Sequence, residues 1–266
     1  VRVGFIGAGR MGRPMLSRLV AAGHDVHVLG RTVEKRRELE QLGARAVNEA
    51  AEAGADADAV VLCVFSDQQL RDVCLDTALL PTMQPGSVLV VHTTANPNTV
   101  EAIAARANGV DVLDAAVSGG PHDIAAGRLT LFVGGADQAV DRVRPLLGCY
   151  GDPVLHVGLT GAGQKVKLVN NALFAAQIGL LAESIRLGER LGVPESTLLT
   201  ALGHGSATSR VLNLVAAGGS VASFIEVAGD FVGKDVAVVR GIAEELGSSL
   251  GALDEAIETI DIAKRV

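Results

Sequence analysis

The chain has no tryptophan, a single tyrosine and six phenylalanines in 266 residues. Aromatics supply 3% of the chain and hydrophobic residues as a whole 48%, so the interior must be built from Ala, Val and Leu. Such a core suits α/β layers and close helix packing. Cysteine is also scarce. Cys63, Cys74 and Cys149 cannot form a closed disulfide set, and their spacing matches no metal motif, which suits a reducing cytoplasm. Cys63, inside the run AVVLCVF, reads as a buried small hydrophobe. Basic residues are outnumbered, 23 against 30, and the net charge of −7 argues against nucleic acid or an anionic membrane as the main partner. It leaves room for a small anion, whose pocket needs only local positive charge. No apolar run approaches the roughly 20 residues that span a bilayer. The chain does not begin with Met, and its first residues carry a strand–turn–helix pattern in place of a signal peptide.

What is present divides into two halves. Up to Gly158, short apolar runs alternate with helical stretches: RVGFIG, HDVHVLG, AVVLCVF (59–65), SVLVVHT (87–93), DVLDAAV (111–117), RLTLFVGG (128–135) and PVLHVG (153–158). That alternation predicts a doubly wound, mostly parallel sheet covered on both faces. Beyond it the strand signal stops. A long helix is expected from about Gly163 to Arg190, then VPESTLLTALGHG, SRVLNLVAAGG, FVGKDVAVVRGIAEELG and ALDEAIETIDIAKR as further helices. The expected organisation is an α/β domain over 1–160 and an all-α domain over 161–266.

The opening stretch, VRVGFIGAGRMGRPM, is the most informative. Gly7, Gly9 and Gly12 form a G-x-G-x-x-G pattern around Ala8, Arg10 and Met11, after a strand and before a helix whose apolar stripe is Met11, Met15, Leu16, Leu19 and Val20. In a Rossmann-type dinucleotide site the first glycine makes the bend, the second admits the pyrophosphate, and the third lets the helix approach the sheet. The helix N-terminus then offers N–H groups to the phosphates. An NAD site places a carboxylate at the end of the second strand. Here that place reads GRT, with Arg31 able to fork onto a 2′-phosphate and Thr32 to donate its hydroxyl. The expected cofactor is therefore NADP, with NAD the lesser alternative. Most of Lys35, Arg36 and Arg37 read as a solvated helix face.

Four separated motifs, in order, give the chain a family resemblance. GFIGAGRMGRPM, DAAVSGGPHDIAAGRLTLFVGG (114–135), GAGQKVKLVNN (161–171) and the Lys234–Asp235 pair resemble those of the β-hydroxyacid dehydrogenases, relatives of 3-hydroxyisobutyrate dehydrogenase and glyoxylate/succinic semialdehyde reductase. The resemblance implies that Lys167 is the general acid/base and that Asn171, one turn on and on the same helix face, orients the substrate oxygen. A lysine near an apolar strand–helix junction can lose solvation, which suits it to proton transfer. Ser118, Gly119 and Gly120 follow a strand and would offer a hydroxyl and backbone N–H groups to a substrate carboxylate. Thr94, in TTANP, would lie near the nicotinamide ribose. Val64 and Phe65 would pass the adenine-side ribose and pyrophosphate, and Lys234 would reach the nicotinamide end.

The chain departs from the family in Ala116, where Pro is usual, in PHDIAAG, which puts His122 and Asp123 in the specificity loop, and in its early end. Two alternatives stand beside an NADP-linked reductase of small carboxylates. One is an imine reductase, against which Lys167 counts; the other is a non-catalytic NADP-binding module, against which Lys167, Asn171 and Ser118–Gly120 count. The stretch LVNN lacks the histidine expected of 6-phosphogluconate dehydrogenase itself. The remaining histidines read as ordinary residues, no metal is called for, and the apolar surface of the long helix predicts a homodimer or homotetramer.

Overall fold

The structure, a computed structural model, describes residues 1–259. It divides into two compact units, Val1–Lys167 and a second beginning at Leu168. The first is built on strands β1 (Arg2–Ile6), β2 (Asp25–Leu29), β3 (Arg45–Val47), β4 (Ala59–Leu62), β5 (Val88–Val91), β6 (Asp111–Ser118), β7 (Leu129–Gly134) and β8 (Gly151–Gly158). They form one sheet in the order β3-β2-β1-β4-β5-β6-β7-β8. Every pair is parallel except β6 with β7.

β4 and β5 are buried at every position, which is why they read as unbroken runs of Ala, Val and Leu. One face of the sheet packs Phe5, Val61 and Val90 against helix α1 (Gly12–Ala21) through Met15, Leu16 and Leu19. The other packs Ile6, Val60 and Leu89 against α3 (Ala50–Gly54), α4 (Asp67–Leu75), α5 (Leu79–Thr82) and α6 (Pro97–Arg106). Each such Val, Leu or Phe contributes about 1.5–3 kcal/mol on burial. The sequence reading missed β3. Its three residues, RAV, are too few to show a period, and pairing with His27–Leu29 makes them a strand. Helix α2 (Val33–Glu40) precedes it, while α7 (Pro121–Ala125) and α8 (Asp137–Leu147) flank β7.

The second unit is helical. It holds most of α9 (Ala162–Arg190), then α10 (Glu195–Gly203), α11 (Arg210–Gly218), α12 (Val221–Glu245) and α13 (Ala252–Glu258) around Ala175, Ile178, Ile185, Val211, Leu212, Val236 and Ile257. Two glycines inside α9 mark close crossings. A Cβ on Gly179 would strike the Ala256 carbonyl, and one on Gly188 would strike Leu198. Helix α12 starts at Val221, nearly three turns before the expected start at Phe231, because Ser220 caps it by accepting from the Ser223 N–H. The helix expected over ALDEAIETIDIAKR is α13 up to Glu258, and residues 260–266 lie outside the described part.

One expectation needs correcting. Helix α9 is, by length and composition, apolar enough to cross a membrane, since its 29 residues contain an 18-residue window of mean hydropathy 1.3. The apolar runs in the sequence are short because polar residues interrupt them at helical spacing, and the mean survives the interruptions. Some 56% of that window is buried inside the protein, as in the core helix of a globular protein.

Candidate active site

The carboxyl ends of β1, β2, β4, β5 and β6 open on one edge of the sheet, and the chain reverses its winding between β1 and β4. Ligands of open α/β sheets lie at such a switch point. The predicted cofactor turn is there. Gly7 has φ of +102°, and a Cβ on it would strike the Cys63 carbonyl, so only glycine fits. Gly12 opens α1, with no room for a Cβ beneath the Gly7 carbonyl and 3.0 Å from Phe5. Gly9 differs: a Cβ there would meet nothing within 4 Å. Ala8 is buried, Arg10 exposed and Met11, the N-cap residue, half-buried. Met11 makes no capping bond and the first turn of α1 holds no acidic residue. The partial positive charge there is therefore met by no side chain of the turn, and an open surface lies over the second glycine. These features fit a pyrophosphate.

At the end of β2, Gly30 is buried and Arg31 exposed. The Arg36 guanidinium donates to the Gly30 carbonyl at 2.9 Å, and a Cβ on Gly30 would come within 2.5 Å of Arg36 Cγ. Residues 30–32, Gly-Arg-Thr, carry no carboxylate side chain. Thr32 caps α2, its hydroxyl accepting from the Lys35 N–H at 3.2 Å. The same hydroxyl helps hold the Glu34 carboxyl below its usual range, after that residue's own N–H. Glu34 is thus a competitor for the proton that the Thr32 hydroxyl is expected to offer a phosphate.

β4 ends at Leu62, so Val64 and Phe65 belong to the following loop, not to the strand as expected. Cys63, expected to be buried, is half-buried. Thr93 ties this loop to the next: its hydroxyl accepts from the Val64 N–H at 3.0 Å and donates to the Val64 carbonyl at 3.1 Å. Thr94, beside it, is half-buried. His92, fully buried, places Nδ1 2.6 Å from the Ala115 carbonyl and Nε2 2.8 Å from the Tyr150 hydroxyl. A carbonyl only accepts, so the network assigns the proton to Nδ1 and makes Tyr150 the donor to Nε2. Burial lowers the histidine to about 4, overriding the opposing Ala115 bond, and raises the tyrosine well above its usual range.

The entrance to α9 is the most densely bonded part of the unit. Asp114, inside β6 and wholly buried, accepts from the Gly161 and Gln164 N–H groups, both at 2.6 Å. Burial raises its carboxyl above the ordinary range, against the N–H groups of Gln164, Gly161 and Gly163 that favour the anion. Gly134 and Gly163 leave the space the carboxylate fills, since a Cβ on either would strike it or lie within 2.8 Å. Gln164, also fully buried, donates from Nε2 to the Thr93 carbonyl at 2.8 Å and accepts through Oε1 from the Ala95 N–H at 3.0 Å. Lys167, half-buried, follows three residues later, one turn along the helix. Lys165 points elsewhere, to Glu101 at 3.3 Å. The sequence reading missed Asp114 and Gln164 as site residues. Both stood inside quoted motifs, and an acid within an apolar strand run was the signal available for the first.

Ser118 ends β6, and Gly119, at φ +132°, turns the chain into α7. The Gly120 N–H donates to Asp123 Oδ2 at 2.8 Å. One donor expected for a substrate carboxylate is thus taken by the protein's own, which leaves the Ser118 hydroxyl and the Gly119 segment. Asp123 also holds exposed His122 at 3.1 Å.

In the second unit Asn171 is buried, donating to Asp235 at 2.6 Å and accepting from Asn170 at 3.1 Å. Asp235 lies 3.6 Å from the half-buried Lys234 ammonium. Asn170 braces Asn171, and Asp235 links Asn171 to Lys234. Among the described residues no group of three or more His, Cys, Asp or Glu could hold a metal ion.

Comparison with known proteins identifies the family. Residues 2–158 match the NAD binding domain of 6-phosphogluconate dehydrogenase, and residues 161–266 match the NAD-binding family of NADP-dependent 3-hydroxyisobutyrate dehydrogenase. The NAD-dependent L-serine dehydrogenase of Pseudomonas aeruginosa is 36% identical over 74% of this chain and 67% of its own. The 3-hydroxyisobutyrate dehydrogenase of Mycobacterium tuberculosis, solved with L-serine, superposes with a TM-score of 0.88 at 26% identity, over 99% of this chain and 93% of that one. Psf3, solved with NADP+ and 2-OPP, gives 0.79 at 26% identity over 99% and 94%. The chain belongs to the β-hydroxyacid dehydrogenase family and is an NAD(P)-dependent dehydrogenase.

Proposed function

We propose that the protein is NADP-linked and interconverts a small β-hydroxy acid with the corresponding aldehyde or semialdehyde carboxylate. The observation that carries the cofactor preference is the end of β2, where Arg31 is exposed and Gly30, packed under Arg36, replaces a carboxylate. Gly7–Gly12 would hold the pyrophosphate, Arg31 and Thr32 the 2′-phosphate, the Val64–Phe65 loop and Thr94 the ribose edges, and Lys234 the nicotinamide end. A bound nicotinamide would supply or accept hydride at the substrate carbon. Lys167 gives the carbonyl oxygen its proton in reduction and takes one from the alcohol in oxidation. One Asn171 amide hydrogen belongs to Asp235, and we assign the other to the substrate oxygen. Ser118 and the Gly119 segment receive the carboxylate. L-serine and hydroxyisobutyrate, named for the relatives, are small carboxylates of this kind.

The active form we infer is a dimer, or a tetramer built from dimers, in the cytoplasm. Val169, Leu173, Leu180 and Leu187 are 48–66% exposed and fall within one narrow arc along α9, a stripe that a second copy of the helix would cover. Light scattering at micromolar protein should give at least twice the chain mass, and a monomer would refute the assembly.

The activity is tested by following NADPH and NADH oxidation with glyoxylate, succinic, methylmalonate and tartronate semialdehydes, and a cyclic imine. Turnover of the imine alone would overturn the hydroxyacid assignment, and full turnover by Lys167→Ala would remove the proton donor. Arg31→Ala should weaken NADPH binding about tenfold or more and leave NADH nearly unchanged, the loss of one charge-assisted phosphate contact. Equal losses would refute the contact.

A further inference from the structure

Gln164 lies at a junction that the proposed reaction does not use directly. Its side chain is wholly inaccessible, and both ends of the amide are spent on the backbone of a single loop, Nε2 on the Thr93 carbonyl and Oε1 on the Ala95 N–H. These two bonds bracket Thr94. Gln164's own N–H is held by the buried Asp114 carboxylate, which also receives Gly161, so the first turn of α9 cannot slide along β6 without breaking both bonds. Thr93 in turn is bonded through its hydroxyl to both backbone groups of Val64. Lys167 stands one turn further along the same helix. All of these groups lie in the first unit.

We propose that Gln164 is a positioning residue, the pin that sets the distance between the Thr93–Ala95 loop and Lys167. The inference rests on the proposed reaction, in which Thr94 flanks the nicotinamide ribose and Lys167 handles the proton. Hydride and proton must reach one carbonyl group together, so the loop beside the pyridine ring and the ammonium have to keep a fixed spacing. A misplacement of about 1 Å costs on the order of a hundredfold in rate when it falls between reacting groups. The two bonds to Thr93 and Ala95 supply that constraint from one side chain. A buried primary amide suits the task because it offers a donor and an acceptor in one plane and carries no charge to desolvate.

The experiment uses the full chain with Gln164→Leu, of similar volume without the bonds, and Gln164→Glu. Hydrogen exchange in the cofactor-free protein reads the pin without any turnover. In Gln164→Leu the amides of 93–96 should exchange about tenfold faster or more, while those of β4 keep their protection. In steady state Gln164→Leu should lower kcat by about tenfold or more and move the substrate KM little, the mark of misplacement in the transition state. Gln164→Glu makes both bonds when protonated, and burial raises its carboxyl, so its kcat should recover between about pH 8 and pH 6 while that of Gln164→Leu does not.

Unchanged exchange at 93–96 in Gln164→Leu would overturn the pin. Faster exchange with wild-type kcat would overturn the positioning role. A fall in kcat matched by lost β4 protection, with no recovery in the Glu variant, would show general destabilisation and equally overturn it. If the wild type turns over no substrate in the panel, the reaction assignment falls. The pin is then judged by exchange and by the emission of bound NADPH, which Gln164→Leu should shift toward that of the free cofactor; unshifted emission would refute it.

Discussion

The tripeptide Gly-Ala-Gly occurs at two helix entrances in the first unit, at residues 7–9 before α1 and at 161–163 into α9, and the two do opposite things. The first has no capping bond, no acid in its first turn, and open space over its second glycine. The second is closed: the Asp114 carboxylate fills the space that Gly163 and Gly134 leave and takes the N–H groups of the turn. Both ends carry the same partial positive charge. One has no acid of its own in the turn, and the other meets the charge with the carboxylate of Asp114. The local pattern therefore identifies a turn able to hold an anion. Where that anion comes from depends on whether a strand elsewhere points a carboxylate at it.

The largest test of the contrast is Gly163→Ala. Its Cβ would strike the Phe132 carbonyl and lie within 2.8 Å of Asp114 Oδ2, neither of which can move aside, so we expect a loss of about 3 kcal/mol or more of unfolding free energy in urea. A loss under about 1 kcal/mol would show that the closed turn is not close-packed.

A second test uses acid on the closed side, where His92 precedes the Thr93 carbonyl held by Gln164. Burial depresses the histidine from 6.5 to about 4. The unfolded chain then binds more protons than the native one between those values. Its contribution is complete above pH 6.5 and is lost as pH falls toward 4, up to about 3 kcal/mol. Asp114 opposes this with the other sign: its raised carboxyl binds protons in the native state before the unfolded one does. Unfolding curves across this range should show stability falling with acid, and His92→Gln should flatten the slope. An unaltered slope in that variant would place the titration elsewhere.

The smallest effect on the fold falls on the open side. Gly9 has no positive φ and no neighbour within 4 Å of a Cβ, so Gly9→Ala should change stability by less than about 0.5 kcal/mol. Its Cβ would stand where the pyrophosphate approaches, and NADPH affinity should fall about tenfold. Affinity unchanged in a stable variant would move the phosphates off that glycine.

The same contrast describes how far the site could be read. The turn glycines Gly7 and Gly12 were legible because their place in the fold depends on neighbours in the chain: a strand before and a helix after. Asp114 and Gln164 were hidden inside motifs quoted for other reasons, since their partners lie 47–71 residues away in sequence. The Gly120 donor was assigned to a substrate because nothing in the spacing shows that Asp123 bends back to take it.

By itself the sequence determined the parallel strands, the long helix and the glycine turn, because burial on two faces and 3.6-residue periodicity write themselves into apolar spacing. Folding decided the three-residue strand β3, which exists only through its pairing, and the division of labour between the two Gly-Ala-Gly entrances. Long-range hydrogen bonds decided it, since a buried donor must be satisfied by whichever acceptor the packed strands bring near, and local composition carries no record of that encounter.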